Sequence, residues 1–470
     1  MTTESAGISS ASGERDPATI VHRHDTFTTP EMTAIFSAET RVQRMLDFEA
    51  ALATAEARAG VIPAESADAI VSRCKVRLFD ISKLEEEAAA SAAHSIPLVR
   101  MLTELVDERA RGFVHWGATS QDVVDTALML QARDAVHVLV EQLSAVGAAC
   151  LSLAERHRRT PMAGRTLLQH AVPITFGLKA AHWLALTTRQ IRRLKELRDE
   201  VIVVQFGGAV GTLAALGDAG MEVAENLAEE LGLPLPDMPW HTDRDRVAEL
   251  VACAGIVSGS MAKIATDVAL LTQTEVGEVA EGSEGAGGGS STMPQKRNPV
   301  DAIMAVAAAR LALGTVPVVF NAMVQEHERS VGGWQPEWVA VPDALSFTSG
   351  AVERVQSLLA SIEADTERMR ANLELTGGQI AAEALMMALA PRIGRHEAYR
   401  VVAAACARAD EEKSDLRAVV AQDDKVRSVL TPQDLERVFD PLSYLGSADA
   451  FISSAVAGFR EVVEPSPETA

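Results

Sequence analysis

Aromatic side chains, cysteines and basic residues are all scarce in this chain of 470 residues. Aromatic residues make up only 4% of the chain, although 47% of its residues are hydrophobic. The apolar content is therefore mostly alanine, valine and leucine, which favours helices that pack closely on small side chains. A chain of this length also exceeds the size at which one hydrophobic core keeps growing, so two or three domains are expected.

Cysteine usage argues against a disulfide or zinc framework. The four cysteines are scattered and none forms a CxxC pair: Cys74, Cys150, Cys253 and Cys406. They are typical of small buried residues in a reducing compartment. Residues 1–16 lack the apolar stretch of a secretory signal, and no run of about 18 uninterrupted apolar residues occurs. We therefore expect a cytoplasmic protein that is not secreted and does not span a membrane.

Positive charge is in deficit. The chain has 43 basic and 65 acidic residues, which gives a formal net charge of −22. Such a surface repels phosphate backbones, so we expect no nucleic-acid partner. A small anionic substrate is still allowed, because a few cations in one pocket outweigh a distant acidic surface that salt screens.

The most prominent pattern in the sequence is apolar residues at helical spacing. Apolar residues recur every three or four positions from Ala127 to His157, with no proline or turn signal between them. Comparable long segments cover residues 175–204, 244–279, 299–325 and 342–373. Long helices can bury their apolar stripes only against one another. We therefore predict an all-α chain around an elongated bundle, which pairing with other subunits extends.

Shorter helical pieces predict a smaller domain on each side of the bundle. We expect a disordered extension and an N-terminal helical domain, then the central bundle, a C-terminal helical domain and a short tail. The predicted boundaries are residues 1–27, 28–111, 112–373, 374–463 and 464–470. A first long helix is expected over residues 30–59.

Two polar clusters cap the long segments. Residues 115–126 look like a helix start, where Thr119 and Ser120 stand beside unpaired backbone N–H groups that favour an anion. A simple helix cap is the alternative interpretation. Residues 164–173 follow a polar turn and are expected to open the next long helix. They offer cationic and neutral donors from Arg165, Thr166, Gln169 and His170.

A third cluster, within a predicted catalytic loop over residues 282–299, carries the most chemistry. Residues 284–299 read Glu-Gly-Ala-Gly-Gly-Gly-Ser-Ser-Thr-Met-Pro-Gln-Lys-Arg-Asn-Pro. The glycines permit movement in the first half, whereas two prolines restrict the backbone around Lys296 and Asn298. A mobile hydroxyl beside a fixed cation suits proton abstraction next to a carboxylate. A glycine-rich linker with incidental polar residues is the alternative.

Residues 289–299 resemble the signature of the fumarase/aspartase superfamily, and the other two clusters resemble its other shared regions in order and spacing. Within the superfamily the chain is most similar to the 3-carboxy-cis,cis-muconate cycloisomerase branch. The residues that carry this likeness are 117–126, 164–177, 205–212, 240–246 and 325–330. The resemblance spans roughly residues 31–459.

That resemblance implies a three-domain, mostly helical subunit in a homotetramer. Each active site then takes one shared region from each of three subunits. The family needs no cofactor, so neither a cofactor nor a metal is expected here. The substrate is expected to be a small anionic di- or tricarboxylate.

The resemblance also assigns roles to individual residues. Ser290 is the general base and acts as an alkoxide, because its hydroxyl pKa is otherwise very high. It removes a proton beside a carboxylate, and Lys296 and Asn298 stabilise the resulting aci-carboxylate. The residues expected to bind substrate are Thr119, Ser120, Thr166, Gln169, Ser291 and Arg329. For Arg329, an exposed helix arginine is an equal alternative.

The chain departs from the lyases of this superfamily at Leu167, where they have a histidine that helps to protonate the leaving group. His170, His94 and Arg165 are possible further site residues. Apolar residues follow His94 directly, so a packing role suits it equally well.

Two glutamines, Gln295 and Gln335, stand where the cycloisomerase branch commonly has histidine. Each change removes a protonatable group, and a leaving group that is stable as an anion needs none. We therefore expect anti elimination from a substituted succinate to fumarate, with nitrosuccinate and release of nitrite as the best candidate, in antibiotic biosynthesis. The cycloisomerase of aromatic catabolism is a nearly equal alternative, because its internal carboxylate also leaves without a proton. An adenylosuccinate-type lyase and a non-catalytic structural relative fit less well.

Overall fold

The computed structural model describes residues 26–282, 292–293 and 295–464. The predicted extension up to residue 25, Ser290, Ser291 and the tail from residue 465 lie outside the described residues. Helices dominate, which confirms the predicted all-α class. They are α1 Pro30–Ile35, α2 Ala38–Arg58, α3 Ala64–Arg73, α4 Ile81–Ser91, α5 Ser95–Leu105, α6 Ser120–Arg156, α7 Phe176–Glu200, α8 Gly220–Leu231, α9 Asp245–Leu271, α10 Val300–Ala322, α11 Glu337–Ser361, α12 Thr366–Leu373, α13 Ala382–Ile393, α14 Arg395–Glu412, α15 Leu416–Ala421, α16 Asp424–Arg427, α17 Pro432–Phe439 and α18 Ala448–Val463.

The long helices α6, α7, α9, α10 and α11 pack side by side as the predicted bundle. α10 packs between α9 and α11, and α6 packs against α7 and α11. α6 buries Leu139, Leu143 and Val146 completely, at the helical spacing that the sequence predicts. Small residues allow close approach: a Cβ on Gly147 would lie 2.1 Å from the ring of Phe459, so glycine lets α18 pack directly on α6.

Several predicted helices end earlier or divide. The predicted helix over residues 30–59 is split at Ser37, whose side chain caps α2. The segments predicted to reach residues 204, 279 and 325 end at Glu200, Leu271 and Ala322. The predicted helix over residues 342–373 is also two helices, α11 and α12. The side-chain cap at Ser37 starts a new helix, and apolar periodicity alone does not reveal such a cap.

Four short strands supplement the helices. β1 Pro161–Thr166 pairs antiparallel with β2 Gln169–Thr175, and β3 Val279–Ala280 pairs antiparallel with β4 Glu363–Ala364. The second pair separates α11 from α12, because Asp365 then accepts a hydrogen bond from the backbone N–H of Arg368 and starts a new helix.

Among the described residues, three bundle helices are long and apolar enough to cross a membrane by length and composition: α6, α9 and α10. In their most apolar windows 39%, 67% and 28% of the residues are buried inside the chain. α10 exposes Ile303, Leu311, Leu313 and Phe320, each by at least 41%. Several exposed large apolar side chains on one helix are typical of a face that another molecule covers. The expectation that no helix spans a membrane stays a prediction.

A second cluster of buried side chains occupies the C-terminal helices. It is separate from the bundle core and includes Leu385, Leu389, Leu416 and Val420, all of which are fully buried. The cluster agrees with a C-terminal helical unit, while the domain boundaries stay predictions.

Candidate active site

The first polar cluster forms the N-terminus of α6. Gly117 has a φ of 73°, and Thr119 is the extended residue directly before the first helical residue, Ser120. The backbone N–H of Thr119 donates to Asp122 Oδ2 at 3.0 Å, which closes the first turn. Thr119 and Ser120 are partly exposed at the positive end of a 37-residue helix. An anion is stabilised there, so the geometry suits a substrate carboxylate.

Asp122 is the centre of a buried hydrogen-bond cluster. Its Oδ1 accepts from the backbone N–H of Gly207 at 3.0 Å and from His241 Nε2 at 2.7 Å. Its Oδ2 accepts from the N–H of Gly208 at 2.9 Å as well as from Thr119. These donors compensate the burial of a carboxylate that has no exposed surface. The cluster thereby fixes residues 205–212 and 240–242 against the start of α6.

Arg244 connects three elements one helical turn further along α6. Its guanidinium donates to both oxygens of Asp125, at 2.8 and 3.1 Å, and to both oxygens of Glu337. Its central carbon lies 4.7 Å from the ring centroid of Trp240, and Trp334 Nε1 donates to Asp125 Oδ1 at 2.8 Å. Burial raises the pKa of Glu337 to about 7, although Arg244 opposes this rise. The network fixes α9 and α11 to the start of α6.

Arg329, a predicted substrate-binding residue, is engaged with the protein. Its NH1 donates to Gln121 Oε1 at 3.0 Å, and its NH2 donates to the carbonyl oxygen of Ala209 at 2.8 Å. Gln121 in turn donates to Asp125 Oδ2 and to the carbonyl oxygen of His241. Arg329 therefore supports the turn beside the helix start, and its contact with substrate stays a prediction.

The second polar cluster is a β-hairpin, so the expectation that it opens a helix is wrong. Arg165 lies opposite His170 and Thr166 lies opposite Gln169 in the antiparallel pairing of β1 with β2. α7 begins only after the hairpin, where the side chain of Thr175 accepts from the N–H of Leu178. Backbone pairing across the turn satisfies the polar groups that a helix would otherwise bond internally.

Two leucines form the tip of this hairpin. Leu167 and Leu168 occupy a two-residue turn with φ values of 52° and 64°, a conformation that favours asparagine and glycine. Their relative exposures are 97% and 73%. His170 lies in β2 opposite Arg165. Thr166 and Gln169, which flank the tip, are both exposed.

Arg165 joins the hairpin to the segment just before the predicted catalytic loop. Its NH1 and NH2 donate to the two oxygens of Glu278 at 2.9 and 2.7 Å, and Asn372 Nδ2 donates to Glu278 Oε1 at 2.8 Å. Glu278 is fully buried and directly precedes β3. Burial lowers the pKa of His170 and Arg165 lowers it further, while Glu278 opposes the shift. His170 Nδ1 is buried without a hydrogen-bond partner in the described part of the chain.

The first two clusters lie far apart within one chain. The 37 residues of α6 span about 55 Å at the usual rise of an α-helix. Thr119 and Ser120 stand at the start of this helix, and the hairpin follows its other end. One chain therefore does not bring Thr119 beside Thr166.

Comparison with known proteins identifies the family. A family model described as "Lyase" matches residues 24–314, and a second, described as "Adenylosuccinate lyase C-terminus", matches residues 378–455. The chain belongs to the fumarase/aspartase lyase superfamily. As a member of this superfamily it is an enzyme that acts on a small carboxylate.

Individual relatives cover nearly the whole chain. It is 48% identical to a 3-carboxy-cis,cis-muconate cycloisomerase of Pseudomonas aeruginosa, over 94% of this chain and 97% of the relative. It is 40% identical to a nitrosuccinate lyase of Streptomyces davaonensis, over 88% and 90% of the two chains. The crystal structure of a 3-carboxy-cis,cis-muconate lactonizing enzyme from Pseudomonas putida superposes with a TM-score of 0.88, at 44% identity, covering 94% of this chain and 99% of that one.

Only part of the superfamily's signature lies in the described residues. Ser290 and Ser291 lie outside them, whereas Lys296 is exposed and Asn298 is half-buried, two residues before α10. The backbone N–H of Lys296 donates to the carbonyl oxygen of Met293 at 3.0 Å. The catalytic roles of these residues therefore stay predictions.

His94 is packed against Trp338. The two ring centroids are 5.1 Å apart in an edge-on arrangement, and Glu85 Oε2 lies 3.8 Å from His94 Nε2. Burial lowers the pKa of His94 and Arg41 lowers it further, while Glu85 opposes the shift. These contacts support the packing alternative, and a catalytic role for His94 stays a prediction.

The sequence alone did not assign roles to Asp125, His241 or Arg244, and for Asp122 it suggested only the alternative of a simple helix cap. Apart from contacts within α6, such as the helix cap of Asp122, and the contacts of Arg244 with Trp240, their partners are 85 or more positions away. One signal in the sequence could have indicated these roles, namely the grouping of charged and aromatic residues at 240–246. Apart from that grouping, this segment looks like an ordinary loop before a helix.

Replacing Leu167 and Leu168 by Asn and Gly is expected to lower activity without lowering stability. A leucine in the left-handed conformation costs about 1 kcal/mol, so the Asn-Gly turn should keep or raise the urea midpoint. We expect kcat/KM to fall roughly tenfold, because removing apolar contacts from a site costs about 1 to 3 kcal/mol. Met238→Asn, which changes another exposed apolar residue, is the control. An unchanged kcat/KM in the double variant would show that the leucines serve only the turn.

Proposed function

We propose that this enzyme is a 3-carboxy-cis,cis-muconate cycloisomerase. The observation that carries the proposal is 48% identity to such an enzyme over nearly the full length of both chains. The comparisons favour this reaction over the nitrosuccinate elimination that the sequence led us to expect first.

The proposed chemistry uses the same base in both directions. In the opening direction, the Ser290 alkoxide removes the proton on the carbon beside a carboxylate. The C–O bond to the internal carboxylate breaks, and the electron pair of the C–H bond becomes the new double bond. In the lactonising direction the carboxylate oxygen adds to the double bond and the serine returns the proton. Lys296 and Asn298 stabilise the aci-carboxylate between the two steps.

Thr119 and Ser120 are proposed to bind one substrate carboxylate. Their position at the N-terminus of a 37-residue helix supports this role, because the backbone N–H groups of the first turn attract an anion. Thr166 and Gln169 are proposed to bind a second carboxylate from the exposed flanks of the hairpin tip.

The proposed assembly is a homotetramer with sites shared between three subunits. The length of α6, which keeps Thr119 away from Thr166, supports this proposal. The apolar face of α10 supports it as well, since a second copy of this chain offers an apolar cover of the same kind. Light scattering coupled to size exclusion tests the assembly, and a monomer would contradict it.

Elimination of nitrite from nitrosuccinate is the second candidate. Gln295 and Gln335 favour it, because they stand where the cycloisomerase branch commonly has histidine, and nitrite leaves without the proton that a histidine could deliver. The 40% identity to a nitrosuccinate lyase supports it too.

One experiment decides between the two reactions. The purified enzyme is incubated separately with 3-carboxy-cis,cis-muconate and with nitrosuccinate, and lactone, nitrite and fumarate are followed. We expect lactone formation to have the higher kcat/KM. Release of nitrite without lactone formation would overturn the first proposal in favour of the second, and turnover of neither substrate would contradict both.

A further inference from the structure

The chain that leads into the predicted catalytic loop is held rigidly up to Gly282. β3 pairs with β4, and the backbone N–H of Gly282 donates to the carbonyl oxygen of Ser361 at 3.0 Å. A Cβ on Gly282 would lie 2.5 Å from that same oxygen, so only glycine allows this approach. The entry to the loop is therefore fixed against the C-terminal end of α11.

The side chain of Glu281, at the entry to the loop, bonds to the first turn of α10, which follows the loop. Its Oε1 accepts from the backbone N–H of Ala302 at 3.1 Å, and its Oε2 accepts from the N–H of Asp301 at 3.3 Å. Both N–H groups belong to the first turn of α10, where Pro299, the N-cap residue, provides no side-chain cap. The helix start is therefore capped by a carboxylate 20 residues earlier in the chain.

The first turn of α10 is also hydrogen-bonded to α11. Asp301 accepts from Arg354 NH1 at 3.0 Å and from Ser357 Oγ at 2.7 Å, and both donors lie on α11. Glu281 and Asp301 thus fix the first turn of α10 in position relative to both β3 and α11. Lys296 and Asn298 precede this turn by only a few residues, so their position depends on it.

We infer that Glu281 is a positioning residue, which places Lys296 and Asn298 in the active site by capping α10 from the entry side of the loop. This inference rests on the proposed roles of Lys296 and Asn298. An ordinary helix cap would contribute only about 1 kcal/mol of stability and leave kcat unchanged. A positioning residue affects kcat, because a misplacement of about 1 Å costs up to roughly a hundredfold in rate.

The test compares Glu281→Ala and Glu281→Gln with Asp423→Ala. Asp423 is a matched control, since its carboxylate also caps a helix by accepting from two backbone N–H groups, at 3.0 and 3.1 Å, in the C-terminal cluster of helices. We expect Glu281→Ala to lower kcat by roughly 10- to 100-fold with little change in KM. Glu281→Gln keeps an acceptor oxygen and should recover most of the rate, whereas Asp423→Ala should match the wild type in kcat.

A second measurement does not depend on turnover. Trypsin cleaves after Lys296 and Arg297, and the Glu281 cap is proposed to hold the backbone at these two residues in place. Without the cap, Glu281→Ala should be cleaved there roughly tenfold faster than wild type. Fragment masses identify the cut, and Asp423→Ala should be cleaved at the wild-type rate. Equal cleavage of Glu281→Ala and wild type overturns the inference, as does an equal loss of kcat in Glu281→Ala and Asp423→Ala. Failure of the proposed function would appear separately, as a wild-type enzyme inactive on both substrates.

Discussion

Ser290→Ala is expected to lower kcat by about a thousandfold on whichever substrate the enzyme accepts, because it removes the proposed general base. KM should change little, since the other residues that are proposed to bind the carboxylates are unchanged. The measurement is steady-state kinetics, with light scattering to show that the assembly is intact. Ser144→Ala, which removes the hydroxyl that donates to the carbonyl oxygen of Val140 within α6, is the control and should retain the wild-type rate. A Ser290→Ala enzyme with more than a tenth of the wild-type kcat would contradict the assignment.

The same variant tests whether sites are shared. Ser290→Ala subunits are mixed with Thr119→Val subunits under conditions that dissociate and reassemble the protein. If each site takes its regions from different subunits, about a quarter of the sites in a random mixture contain both wild-type residues. We expect the mixture to exceed both parents in activity. A mixture no more active than the average of its parents would place both residues of a site in one subunit.

Arg244→Met is expected to lower the free energy of unfolding by about 3 to 5 kcal/mol, because it leaves two buried carboxylates without their cation. Asp125 keeps the hydrogen bonds from Trp334 and Gln121, whereas Glu337 loses its ion pair. Urea denaturation measures the loss. Arg246→Met, which removes a single hydrogen bond to the carbonyl oxygen of Glu200, is the control and should cost less than about 1 kcal/mol.

The sign of the pH dependence of this variant follows from Glu337. Burial already raises the pKa of this group to about 7, and the loss of Arg244 raises it further. A carboxyl whose pKa is raised in the folded state destabilises that state as pH rises above its unfolded value of about 4.3. The variant should therefore lose more stability relative to wild type at pH 8 than at pH 5. If Arg244→Met loses no more free energy of unfolding than Arg246→Met, the network around Arg244 does not stabilise the fold.

Helices and strands differ in how far the sequence predicted them. The centre of α6 follows from apolar residues at a helical period, because one face of a helix must be buried whatever covers it. The hairpin did not follow, since Leu167 and Leu168 are poor turn residues and the flanking polar groups suit a helix start equally well. The division of α11 from α12 also depends on strand pairing with residues more than 80 positions away.

The sequence by itself determined the all-α class, the superfamily and the identity of the signature residues. Periodicity and short motifs are local, so they can be recognised without knowing which segments meet. Only the tertiary structure decided that Asp122, Asp125 and Arg244 hold the helix start, that the hairpin is bound to Glu278, and that Glu281 caps α10. Each of these contacts joins residues 20 or more positions apart, and burial of a charge is compensated only where the fold brings its partners together.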